Sequence, residues 1–337
     1  MIGAEQMPFS ITLEPQEGET YQDVLAVARR VEALGFAGLY RSDHYAPVWG
    51  GEGLASTDAW ATLAGLARDT ERITIGTMVS PVTFRPAANL AKVIATVGQM
   101  AGAVDGRTRV HVGLGTGWLE AEHTMFGFPF DDLGARFRRL EEHLRVLRGL
   151  WDPGTPRFSF DGEFEQLKEA VFAAKPDPVP RVVLGGSGRR RSAGLAARYA
   201  DEMNTPFPTP ASFRALRAAL DEACAAAGRD PIPLTVTAVC VIGADEAEFR
   251  RRAERLHVRI GDRPFDEWLE QRSDTWALGT PERVLEHLTG LIEAGAAGFS
   301  LQHLLPDDLD MLDLLAESVA DRLEEIRPEA TAPDRAV

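Results

Sequence analysis

An α/β barrel of eight parallel strands, each followed by a helix, is the architecture this sequence predicts. Three observations predict it. Short apolar runs of strand length alternate with longer runs of helical period from near the first residue to near the last, the pattern that crossover helices between parallel strands produce. Eight strand-like runs occur: Ser10–Leu13, Gly38–Ser42, Ile73–Val79, Val110–Gly113, Val182–Gly185, Glu202–Thr205, Leu234–Ile242 and Phe299–His303. Finally, 45% hydrophobic and 26% charged side chains are those of a soluble globular protein with a full core, and 337 residues, which could hold two average domains, are also routinely filled by one large barrel.

The segments between the runs carry apolar residues at helical spacing, as in Val24, Val27, Ala28 and Val31, or Leu90, Val93, Ile94 and Val97. Two insertions interrupt the alternation. After the fourth helix, which ends near Leu150 and Trp151, residues 152–180 are rich in proline, and Phe158–Phe164 alternates aromatic and polar side chains around Asp161-Gly162, which predicts a hairpin. After the seventh strand, about 245–278, a charged helical stretch with Arg250, Arg251, Arg252 and Arg255 reads as a solvated face, followed by Trp268 and Trp276. Residues 1–327 are expected to form the barrel domain, and the Pro- and Ala-rich 328–337 to fray. No internal repeat is visible.

Composition narrows the function. A formal net charge of −15 argues against a nucleic-acid binder, which needs a basic surface to displace counterions. Cys224 and Cys240 have no metal or redox spacing and read as small buried hydrophobes, and no metal site is expected. No apolar run reaches the ~18 residues that span a bilayer, and no secretory leader opens the chain. The expectation is a cytoplasmic protein whose partner is a small molecule.

In such a barrel the active groups sit where strands end, on the C-terminal face, and five strand ends deliver small or polar residues there. The fifth ends in Gly185-Gly186-Ser187-Gly188, followed by Arg189, Arg190 and Arg191 and a helix. Glycines let backbone approach a phosphate, and a helix start presents free N–H groups; the other reading is an ordinary Gly-rich turn before a solvated arginine face. The second ends in Asp43 and His44, and a strand-end histidine is a candidate acid or base. Adjacent strand residues point to opposite faces, so Asp43 need not touch His44, and one of the two could serve as a cap. At the third, Ser80-Pro81 predicts a bulge or a stop, because proline cannot donate to the ladder. The fourth ends in Gly113-Leu114-Gly115-Thr116-Gly117-Trp118, which lacks dinucleotide-fingerprint spacing. Its glycines would let a flat ring lie on backbone, with Thr116 as donor and Trp118 as wall, or they form a tight turn with Trp118 in the core. Glu120, Glu122 and His123 could face solvent, a metal or a substrate. The eighth delivers Gln302 and His303, and Trp49, His303 and Trp118 are the candidates for the substrate pocket.

Taken together, Ser42-Asp43-His44, the segment Ser80–Arg85, Gly113–His123, Gly185–Asn204 and Gly279-Thr280-Pro281-Glu282 resemble the bacterial luciferase-like superfamily over about Phe9 to Leu315. The nearest likeness is to its deazaflavin-dependent oxidoreductases, which use coenzyme F420; members using FMN share the barrel and several turns. The resemblance implies a luciferase-like TIM barrel assembled as a homodimer. It places His44 at the cofactor ring edge with Asp43 beside it. Met78-Val79, or a bond next to it, matches a bulge holding a non-proline cis peptide behind the ring, with Ser80 following. Thr116 and Gly117 match cofactor contacts, and Gly185, Gly186, Ser187, Gly188, Arg189 and Arg190 match the phosphate site.

Two departures are visible. Where the deazaflavin-dependent glucose-6-phosphate dehydrogenases carry a catalytic glutamate, Trp118 stands here, which argues against a sugar phosphate. Where many members carry asparagine, Leu119 stands. The cofactor decides the reaction: F420 implies hydride transfer, whereas FMN implies a monooxygenase served by a partner flavin reductase. Three consecutive arginines suit the longer anion of F420, although successive helical residues lie about 100° apart and one must face away. A third reading is a flavin-carrying barrel without turnover.

Overall fold

The computed structural model describes residues 9–326 apart from residue 52, and the stretch 328–337 lies outside them. Eight strands form the barrel: β1 (Phe9–Leu13), β2 (Gly38–Arg41), β3 (Thr74–Pro81), β4 (Val110–Gly115), β5 (Arg181–Gly185), β6 (Glu202–Pro206), β7 (Leu234–Ile242) and β8 (Phe299–Gln302). Their order is β6-β5-β4-β3-β2-β1-β8-β7, and β6 pairs with β7 to close the ring. Every neighbouring pair is parallel. All eight expected strands are present, their ends shifted by at most two residues.

Helices alternate with the strands: α1 (Tyr21–Leu34), α2 (Ala59–Asp69), α3 (Ala87–Ala101), a short α4 (Glu120–Phe126) before α5 (Leu133–Trp151), α6 (Arg191–Tyr199) and α7 (Pro210–Ala226). After β7 come α8 (Glu246–Ile260), α9 (Phe265–Glu270) and α10 (Pro281–Glu293); after β8, α11 (Asp310–Leu315) continues through a π turn into α12 (Asp321–Ile326). Their starts carry the expected caps. Thr20 and Asp23 form a capping box on α1, and Asp58, Asp132, Thr209 and Asp245 cap α2, α5, α7 and α8, each such cap being worth about 1 kcal/mol.

Strand alternation sorts the side chains. Ile11, Leu13, Leu39, Ile75, Val110, Val112, Val182 and Leu184 are buried in the hydrophobic core that the helices cover. Residues of the other parity face the lumen, which is polar and internally bonded. Tyr40 Oη meets His111 Nδ1 at 2.7 Å, Thr235 Oγ1 donates to Glu202 at 2.6 Å, and Thr237 Oγ1 donates to Asn204 Oδ1 at 2.9 Å. Burial drives His111 down to about 3, so it sits there neutral.

The hairpin in the first insertion is formed by Phe158–Asp161 and Gln166–Ala170. Two small pieces were not expected: a hairpin of Ala103–Val104 with Arg107–Thr108, and the strand Ala277–Gly279, which pairs with the end of β7. Not all of the arginine-rich helix α8 is a solvated face. Arg252 is buried, bonded to Asp308 and to the carbonyl of Ile242.

At β3 the register against β4 shifts between Thr77 and Ser80, so the bulge lies at Met78–Val79, and Pro81 still pairs with Gly115. The Met78–Val79 peptide bond is cis. The Val79 side chain occupies the space that three glycines leave open. A Cβ added at Gly113, Gly115 or Gly185 would stand 2.8, 2.8 or 2.7 Å from its methyls. Gly113 has a second conflict, since its added Cβ would lie 2.2 Å from the carbonyl oxygen of Thr77. A wall of packed atoms has no room for another methyl group. Gly113→Ala should therefore lower the urea midpoint by an amount equivalent to about 2 kcal/mol or more, read by denaturation followed by circular dichroism.

Candidate active site

His44 lies just past β2, on the lumen side of the wall, with only 11% of its side chain exposed. Its partner is Glu122, from the short helix that follows the Gly-rich end of β4. Glu122 is fully buried; its Oε1 lies 2.9 Å from His44 Nδ1, and its Oε2 accepts the backbone N–H of Tyr45 at 2.9 Å. A carboxylate facing Nδ1 places the proton there and leaves Nε2, which has no hydrogen-bond partner among the described residues, to act on a ligand. Burial alone would lower the imidazole, but the hydrogen bond and charge of Glu122, then the charges of Glu14 and Asp43, outweigh it and raise His44 above its usual range.

Asp43 has a different role. It shares the outward parity of Arg41, and its carboxylate accepts from Ser80 Oγ at 2.6 Å and from Arg85 Nη1 at 2.5 Å. Arg85 also holds Asp58 at 2.6 Å, and Trp60 Nε1 donates to Ser80 Oγ at 3.2 Å. The side chains of Asp43 and Ser80 thus lie in the wall between β2, β3 and α2.

A second buried carboxyl stands near His44. Glu14, just past β1, accepts from Gln302 Nε2 and, at 2.6 Å, from Gln16 Nε2, whose own oxygen accepts from Ser42. Burial pushes the Glu14 carboxyl up, only partly offset by the His44 charge and the surrounding donors.

Neither Glu122 nor His123 faces solvent. His123 Nδ1 lies 2.7 Å from the carbonyl of Leu119, so it carries the proton, and Nε2 accepts from Thr83 Oγ1 at 2.7 Å. His123, Tyr45, Phe84 and Phe128 pack as an aromatic cluster that fixes α4, and with it Glu122. Trp118 is not in the core: it is 62% exposed and meets the His44 ring edge-on at 5.9 Å. Trp49 and His303 lie together in a small cavity next to Glu14, and burial holds His303 down to about 4. Met78 and Val79 are half-buried. Thr116 bonds weakly to the Gly117 carbonyl, which also accepts from Arg136.

At the end of β5, Gly185 makes room for Val79, while Gly186 takes φ +152°. Ser187, Gly188, Arg189, Arg190 and Arg191 are exposed, and no side chain caps the start of α6. Among the described residues Arg189 and Arg190 have no ion-pair partner. An uncapped helix start with free guanidinium groups is chemically fitted to an anion such as a cofactor phosphate. Among the described residues no group of His, Cys, Asp and Glu could hold a metal ion, and no helix is long and apolar enough to cross a membrane.

A family model described as luciferase-like monooxygenase matches residues 7–303. The chain belongs to this family. It is similar to the pyrimidine monooxygenase RutA of Escherichia coli (strain K12), 32% identical over 225 residues, which are 64% of this chain and 55% of that protein. The match therefore spans little more than half of that relative. Among solved structures, an F420-dependent secondary alcohol dehydrogenase in complex with an F420-acetone adduct has a TM-score of 0.78 at 22% identity, covering 96% of this chain and 100% of that one. The EDTA monooxygenase of Chelativorans sp. BNC1 has a TM-score of 0.76 at 18% identity, covering 96% and 95%. At such identities the likeness is one of fold.

The dyad makes a testable pH claim. A His value raised when folded contributes stability that is fully present below the ordinary value of 6.5 and is lost as pH rises through the raised one. In Glu122→Gln, His44 should titrate lower by NMR, and the stability gap to the wild type should be larger at about pH 6 than at about pH 9. A His44 titration that does not move would detach it from Glu122.

Proposed function

We propose that the protein is an F420-dependent oxidoreductase of the luciferase-like family that moves a hydride between the deazaflavin and a neutral small organic substrate. The Glu122–His44 dyad carries this reading: it offers one free imidazole nitrogen, with a raised affinity for protons, at the barrel mouth. Gly186, Ser187, Gly188, Arg189 and Arg190 would hold the phosphate. Thr116, Gly117 and the Met78–Ser80 backbone would line the ring site, and Asp43 would act on it through Ser80 and the wall. A bound deazaflavin supplies or accepts a hydride at a ring carbon.

The protein's own part is proton transfer and positioning. In reduction of a carbonyl, His44 Nε2–H gives its proton to the oxygen as that oxygen gains charge, and Nδ1–H stays on Glu122. Glu122 keeps the ring in that orientation throughout. Trp118, edge-on to His44, offers a flat apolar face for the substrate. The charged groups nearest the imidazole, Glu122, Glu14 and Asp43, are acidic, which disfavours anionic substrates. The unpaired Arg189 and Arg190 suit the extended anion of F420.

A second reading, an FMN-dependent monooxygenase served by a flavin reductase, is favoured by the 32% identity to RutA. Paired titrations of the purified protein with F420 and with FMN test the two. Micromolar binding of F420 alone supports the proposal, preference for FMN moves the assignment to the second reading, and binding of neither sinks both. His44→Ala should leave F420 affinity within a few-fold and slow hydride transfer by about 100-fold or more, measured by single-turnover absorbance; unchanged turnover would make His44 structural. The homodimer implied by the resemblance is part of the proposal, and sedimentation velocity tests it.

A further inference from the structure

We propose that Glu17 is a positioning residue that holds Trp49 in place at the substrate mouth. The part that concerns substrate rests on the function proposed above; the part that concerns Trp49 does not. Glu17 ends the turn Pro15–Glu17 between β1 and α1 and is 8% exposed. Its Oε1 accepts the backbone N–H groups of Val48 at 2.7 Å and Trp49 at 2.9 Å, and its Oε2 that of Gly50 at 2.7 Å. Such amide–carboxylate bonds are charge-assisted, and little water competes for them here. Three successive amides converging on one carboxylate fix the path of the backbone that carries the indole.

Trp49 packs against the hydrophobic core, but that packing is incomplete. Behind the half-buried Trp49 is a small cavity, with room for about one water molecule, lined by Glu14, Glu17, Glu19, Arg259 and His303. Both ring nitrogens of His303 and Oε2 of Glu19 lack a partner among the described residues. Close-packed atoms resist displacement, whereas a side chain backed by a cavity does not. The turn that carries Glu17 is itself anchored by the insertion helix α8, through Arg259 to Glu19 Oε1 at 2.7 Å and to the Glu17 carbonyl at 3.4 Å. Gly50 belongs to the same device, because an added Cβ would lie 2.7 Å from Glu17 Oε2 and 2.6 Å from Leu54 Cδ1.

Glu17→Gln in the full-length protein tests this, because the amide keeps one accepting oxygen and presents an NH2, which cannot accept, to the backbone N–H groups on its other side, so the three bonds cannot all form. Hydrogen exchange read by mass spectrometry should show the amides within 48–50 that lose their acceptor exchanging about tenfold faster or more, with the barrel strands unchanged. Acrylamide quenching of Trp49, isolated by difference against Trp49→Phe backgrounds, should rise. Gly50→Ala should produce the same local change from the other side of the contact. Unchanged protection and quenching in both variants would overturn the proposal; if Glu17→Gln loses protection everywhere, Gly50→Ala alone decides. With menadione as a neutral planar acceptor for reduced F420, KM should rise about tenfold while kcat stays within about threefold and the pH profile holds. Failure of the wild type to turn over menadione would count against the function proposed above and leave the exchange and quenching result to decide Glu17.

Discussion

Backbone N–H groups in loops that no strand or helix partners are the constraint on which the barrel's loops depend at both ends, since a buried amide must be bonded. Glutamate meets it repeatedly. Glu17 takes the amides of residues 48–50, Glu32 those of 71–73, and Glu142 those of 163–165. In each case a carboxylate on or beside a barrel helix binds three successive residues of a loop distant in sequence, so the loop path is tied to the rigid frame. Glu122 is a shortened version, with one oxygen on the amide of Tyr45 and the other on the imidazole of His44. The same chemistry that shapes the loops therefore orients the imidazole of His44, and part of the acidic surplus of this chain is spent inside it.

Alternation along β2 separates two kinds of charge. Arg41 and Asp43 point outward, where Arg41 is held by Thr57 and Thr62 and Asp43 by Arg85 and Ser80. Ser42 and His44 point the other way, toward Gln16, Glu14 and Glu122. The outer set has every partner it needs and stiffens the wall. The inner set keeps one nitrogen unspent. Two neighbours in sequence thus belong to two different machines, and the pairing that adjacency suggests, Asp43 with His44, is not the one that forms.

That pairing marks the boundary of what the sequence makes legible. The strands could be found because β-branched runs bounded by glycine leave a local signature, and the mouth because strand ends in a barrel share one face. Contacts across the barrel leave none. Glu122 lies 78 residues from His44, and the one available signal was an acidic residue in the first turn of a helix opening at the mouth, which had no role until a partner appeared. Arg252 is locally like its exposed neighbours, and partners outside its helix, Asp308 and the Ile242 carbonyl, explain its burial. The strand Ala277–Gly279 is three residues long, too short for periodicity to register.

Val79 ties several strand ends together. Its one side chain fills the space left by glycines on two separate strands, so positions 79, 113, 115 and 185 behave as a single locus. A methyl added at 115 or 185 has nowhere to go unless residue 79 shrinks, whereas one at 113 meets the Thr77 carbonyl as well; such effects do not add. Larger residues at 115 or 185 are therefore reachable only together with a smaller one at 79, and a library that randomises one of these sites at a time would miss them.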